Sequence, residues 1–186
     1  MKVEKANDEM WMFHQLLLED VRAARDFGLS VKSRFALRTL YRTSAAYIEG
    51  VTYQLRLVCL AALEDVPDIF GANEIMLLRE KSVGLDYKGR IKERDSFQSL
   101  KSNILFLFRC FGKLHKLDFE PNTSDHRWAS LGEFIEIRNS LMHPKSIEDF
   151  EMTEIKNKVS LEAVEWFHEN LKRLYRECET ADIAST

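Results

Sequence analysis

Glycine and proline are scarce in this chain, with 7 and 3 among 186 residues. So few turn formers and helix breakers argue against a turn-rich β fold and leave long helices as the natural reading. No apolar run approaches the ~18 residues that a bilayer-spanning helix needs. The opening Met1-Lys2-Val3-Glu4-Lys5 has no signal-peptide core. Cys59, Cys110 and Cys178 are odd in number and widely spaced, without a C-x-x-C pair. They read as reduced thiols, so a cytoplasmic chain is expected. Neither sign of charge dominates, and the net charge of −3 argues against a protein that coats nucleic acid non-specifically. Any RNA contact must come from a local basic patch. His14, His115, His126 and His168 are scattered, with no H-x-x-x-H or H-E-x-x-H spacing. Glycine-rich phosphate loops and the G-x-S-x-G elbow are missing as well. Neither a metal nor a cofactor is expected.

What is present is helical periodicity. Asp8 to Phe27 reads as an amphipathic helix, with Met10, Phe13, Leu17 and Val21 inward and Gly28 as its stop. Ser30 is a candidate N-cap for a long second helix reaching about Leu63. Its apolar stripe is Leu37, Tyr41, Ile48, Val51, Leu55, Val58 and Ala62, and its polar side carries Arg38, Arg42, Glu49 and Arg56. After Pro67 and Gly71 a short helix is expected over Asn73 to Glu80. Val83 to Phe97 does not look helical, and Leu85 to Ile91 reads as a small hairpin turning at Lys88-Gly89. Further helices are expected over Ser96 to Leu114, from Ser124 or Asp125 to Met142, and over Leu161 to Cys178 with Val164, Phe167, Leu171 and Leu174 inward. The fold class is therefore all-α, an up-and-down helical bundle with a long second helix and one small β-hairpin insertion. The length suits one domain over residues 1–178, followed by a frayed polar tail over 179–186.

The chemistry concentrates in Arg138-Asn139-Ser140-Leu141-Met142-His143-Pro144. On a helical wheel Arg138 falls in the arc of Trp128, Leu131, Phe134, Ile135, Ile137, Leu141 and Met142. A guanidinium in such a place needs a partner. Glu49, at the edge of the polar side of the second helix, is the leading candidate. Pro144 disfavours helical geometry at His143, so the helix should end there. His143 then sits at the negative end of the helix dipole, which favours the imidazolium form. Asn139, one turn back, is placed to reach the imidazole. A fixed cation, an amide and a titratable base within two turns suit the handling of a phosphodiester. Arg138 and His143 lie ~140° apart on an ideal helix, so both can face one small ligand only if the helix end unwinds or a second copy of the chain contributes.

This R-N-x-x-x-H-P run resembles the R-x(4–6)-H signature of the HEPN superfamily, as does its place near the end of a late helix in an all-helical chain. The resemblance implies a small helical homodimer. It also implies a metal-independent endoribonuclease of toxin–antitoxin or antiviral type, with Arg138, Asn139 and His143 as its catalytic residues. The alternative within the same family is a non-catalytic RNA-binding or protein-interaction module. An antitoxin or regulatory partner protein is possible in either case. One branch of the family carries a tyrosine two residues after the histidine, where this chain has Lys145. Two further basic rows are candidate RNA contacts. Arg34, Arg38 and Arg42 are spaced four apart along the second helix, as a phosphate rail or a solvated face. Lys88, Arg90, Lys92 and Arg94 alternate, and on one strand they would share a face, tracking a backbone or guarding a sheet edge.

Overall fold

The computed structural model describes residues 2–184. Six α-helices and one two-stranded sheet form a helical bundle, in the order α1 (Lys2–Val31), α2 (Arg34–Asp65), α3 (Ala72–Leu78), β1 (Lys81–Leu85), β2 (Ile91–Asp95), α4 (Leu100–Leu114), α5 (Arg127–Met142) and α6 (Glu154–Ala184). A single turn of 3-10 helix, Glu148–Phe150, lies between α5 and α6. α2 is the axis of the bundle and packs against α1, α4, α5 and α6. Its inward residues Tyr41, Tyr47, Ile48, Val51, Leu55, Val58 and Cys59 are almost wholly buried. They meet Leu107 and Phe108 of α4, Leu131 and Phe134 of α5, and Trp166, Phe167 and Leu171 of α6 in one continuous core.

The helix ends depart from their sequence signals, most clearly in α1, α2 and α6. α1 runs straight through Gly28 and ends where Lys32 turns left-handed, at φ 48°. The Lys32 amide there closes on the Gly28 carbonyl at 3.0 Å. Glycine inside a helix costs only ~1 kcal/mol, which packing along α2 offsets. The cap of α2 is accordingly Ser33 rather than Ser30: its backbone is extended and its hydroxyl accepts from the Ala36 amide at 3.1 Å. α6 starts at Glu154, where the Thr153 hydroxyl accepts from the Lys156 amide, and it continues past Cys178 to Ala184. The tail expected from Glu179 is therefore helical as far as it is described, and Ser185 and Thr186 lie outside the described residues.

The hairpin stands where the sequence puts it. β1 and β2 are antiparallel, with Val83 opposite Glu93 and Gly84 opposite Lys92. Gly89 takes φ 72° in the turn, a conformation that favours glycine. The Asp86 carboxylate accepts from the Lys88 and Arg90 amides and shapes the turn. At its base, the Ser96 amide donates to the Glu80 carbonyl at 2.8 Å. The Glu80 carboxylate pairs with Arg56 of α2, which is buried although it lies on the polar side of that helix.

Candidate functional site

Arg138 and Glu49 form a two-pronged ion pair. The guanidinium Nε lies 2.8 Å from Glu49 Oε1, and Nη2 donates to Oε2 at 2.8 Å. Planar guanidinium and carboxylate groups match in this geometry, which fixes orientation as well as charge. The pair is not deeply buried: the two side chains keep 27% and 36% of their exposure. Arg138 therefore lies on the flank of the apolar arc rather than at its centre. Ser130, Leu131, Phe134 and Leu141 fill the buried face of α5, while Met142 is about half exposed. The long second helix supplies the counter-charge from the edge of its polar side.

Asn139 turns toward the arginine. Its amide oxygen accepts from Arg138 Nη1 at 3.0 Å, and not from the imidazole. The reason is local, since the side chains of adjacent residues on an exposed turn can meet when one of them is long. His143 caps the C-terminus of α5 with φ −129° and ψ 61°, outside helical geometry, as Pro144 requires. Its amide donates to the Asn139 carbonyl at 2.9 Å. The ring is exposed and makes no hydrogen bond to another described residue.

The arginine row of α2 reaches the same end of α5. Arg42 Nη2 donates to the Leu141 carbonyl at 3.3 Å, one of the carbonyls left unpaired at the helix terminus. Arg38 Nη1 donates to the Phe150 carbonyl at 3.3 Å and lies over the Phe150 ring. These two arginines hold the end of α5 and the segment after it against α2. Each spends one N–H of five on that task. Arg34 is exposed and has no partner among the described residues. The loop beyond Pro144 is closed by Asp149, whose carboxylate accepts from the Lys145 and Ser146 amides at 2.7 and 3.0 Å. These backbone N–H groups hold the Asp149 carboxyl below its ordinary range. Contacts thus join Arg42 to the end of α5, Arg38 to the segment after it, and Arg138 to Glu49 and Asn139, whereas no hydrogen bond or ion pair among the described residues joins the side chains of Arg34 or His143 to them.

The hairpin cations take no part in these contacts. Glu80, at the base of the hairpin, meets α2 at Arg56, which is ~21 Å along the helix from Arg42. Nor do all four share a strand face. Only Lys92 and Arg94 lie within β2, where they do; Lys88 and Arg90 are in the turn. Arg94 Nη2 donates to the Leu85 carbonyl at 3.4 Å, and Lys88 Nζ sits 5.2 Å from the centre of the Tyr87 ring.

Sequence reading missed a second polar cluster. The Tyr47 hydroxyl lies 2.9 Å from His168 Nδ1 and 3.4 Å from His14 Nε2, joining α2, α6 and α1. His14 points inward in place of Phe13, which is half exposed. Its Nδ1 is buried without a hydrogen-bond partner. Burial lowers the His14 pKa to about 4, and burial likewise lowers that of His168. The available signal was the position of His14 between Met10 and Leu17 on the inward stripe of α1. The three cysteines are free and buried, and burial pushes the Cys110 and Cys178 thiols up to about 12. Among the described residues, no group of three or more His, Cys, Asp or Glu side chains is arranged to hold a metal ion. No described helix is long and apolar enough to cross a membrane.

No protein-family model, curated protein or solved structure matches this chain.

Proposed function

We propose that this chain is a HEPN-like, metal-independent endoribonuclease of toxin–antitoxin or antiviral type, acting as a homodimer. The observation that carries the reading is the exposed, unpartnered His143 ring at the C-terminus of α5, the helix that carries Arg138 and whose last turn Arg42 of α2 holds. His143 takes the proton of a ribose 2′-hydroxyl as its oxygen attacks the adjacent phosphorus. The phosphorus–5′-oxygen bond breaks, and the leaving oxygen takes a proton from the imidazolium of the second subunit. Arg138, oriented by Glu49, stabilises the charge that builds on the phosphorane oxygens, and Asn139 orients the guanidinium. Arg34, Arg38 and Arg42 supply the electrostatic attraction for the flanking phosphates. The nucleophile comes from the substrate, so DNA is left intact.

A non-catalytic module is the second reading, favoured by the engagement of Arg138 with both Glu49 and Asn139. Here the same surface binds RNA or a partner protein without cleaving. Purified protein incubated with RNA in EDTA separates the two. The nuclease leaves 2′,3′-cyclic phosphate ends, and His143→Ala abolishes cleavage with an unchanged melting temperature. Cleavage by His143→Ala at the parent rate overturns the nuclease reading. Light scattering that finds only monomer at micromolar concentration overturns the two-subunit mechanism.

A further inference from the structure

A cleft of about 550 Å³ runs between α1, α2 and α6, on a part of the molecule that the proposed nuclease does not use. Its volume falls within the ~300–1,000 Å³ of small-molecule sites. Its walls are apolar, and its rim carries Arg22 and Arg25 of α1 with Glu165 and His168 of α6. The rim charges are not equivalent. Glu165 is directed toward Arg127, at 4.0 Å, and Arg25 lies 3.4 Å from Asp26. Arg22 has no ion-pair partner among the described residues. His168 is held neutral by burial and engaged by Tyr47 through Nδ1. The rim therefore presents one uncommitted positive charge above a hydrocarbon surface.

The cleft also has an internal cause. Ser44 and Ser160 line it and are only 2% and 7% exposed. Bulky residues at these positions would let α2 and α6 interlock, as cores normally do at close-packed density. Serine leaves the space unfilled. Neither hydroxyl makes a hydrogen bond to another described residue. Neither is sealed from solvent, since His14 Nδ1 is the one buried unpartnered side-chain polar atom among the described residues, so both hydroxyls open onto the cleft and are free to serve a polar occupant as well as an apolar one.

We propose that this cleft binds a medium-chain carboxylate, with its hydrocarbon against Leu18, Val21, Leu37, Leu40 and Val164 and its carboxylate on Arg22. The Ser44 and Ser160 hydroxyls, open to the cleft, are the neutral donors for the head group. Occupancy also touches the motif helix, because Tyr41 in the cleft wall stacks on Phe134 of α5 at 4.6 Å. Binding itself does not depend on RNA cleavage.

Calorimetric titration of the full chain with decanoate, kept below its micellar range, tests the proposal. One site per chain saturates, 1-decanol binds more weakly, and Arg22→Glu weakens decanoate about tenfold, the equivalent of one charge-assisted hydrogen bond. Ser44→Leu, which fills the cleft, abolishes binding while keeping the helical circular dichroism signal. Absence of saturation up to the micellar limit overturns the proposal, and so does parental affinity in Arg22→Glu. The arginine lies on an exposed helix face, so that variant decides the matter whether or not Ser44→Leu folds.

Discussion

Arg138 could be marked from sequence as a charge in need of a partner, and Glu49 could be named as that partner, because a guanidinium beside Phe134 and Leu141 has few alternatives. The depth of the pair was not legible. A wheel gives direction and not distance to solvent, and both side chains are partly wet. The expected cost of breaking it falls accordingly. A fully buried pair broken from one side costs ~3–5 kcal/mol, and an exposed pair contributes ~1 kcal/mol or less. Glu49→Ala should lie between, at ~1–2 kcal/mol, read as a modest drop in melting temperature. It should also release the Arg138 guanidinium and impair cleavage, while Glu49→Gln keeps the shape of the contact and only part of its strength. The imidazole–amide contact expected for Asn139 failed for a related reason. Spacing at i, i+4 places two residues on one face, but Arg138 is nearer to Asn139 and stronger as a donor.

At the scale of elements, existence was legible and boundaries were not. All six helices and the hairpin follow from periodicity, from Gly89 and from the breaks at Pro67 and Pro144. The ends depend on which of several serines, threonines or glycines meets the backbone at the correct geometry, as Ser33 and Thr153 do. Gly112 illustrates a constraint that no local pattern reveals. It lies in the last turn of α4, where its carbonyl accepts from the His115 and Leu117 amides. A Cβ there would lie 2.9 Å from the Phe119 Cβ and 3.0 Å from the Leu117 carbonyl oxygen. Gly112→Ala should therefore destabilise by up to ~2 kcal/mol net, an overpacking cost of ~1–3 kcal/mol less the ~1 kcal/mol that alanine gains in helix propensity. Urea unfolding midpoints measure it, and a stabilised Gly112→Ala protein would mean that the loop over residues 115–126 gives way freely.

For the molecule as a whole, the His14–Tyr47–His168 junction sets an acid limit. Burial holds the folded His14 pKa at about 4, below the ordinary 6.5 of the unfolded chain. The unfolded state thus binds more protons between those values, so stability is complete above about pH 6.5 and falls as pH drops toward 4. His168, lowered in the same direction, adds to the loss. The melting temperature should decline across this window by the equivalent of ~2–3 kcal/mol, and His14→Leu should flatten the decline. A melting temperature constant from pH 7 to 4 would place the histidine in contact with water. The hairpin has a different consequence. Its residues are almost all exposed, and it joins the α1–α3 half of the chain to the α4–α6 half. Trypsin should nick first after Lys88 or Arg90, and the two pieces should stay together, held by α2 against α4, α5 and α6. The turn is thus a natural severing point, and the halves, expressed separately, should find each other and restore the bundle as a split-protein reporter does.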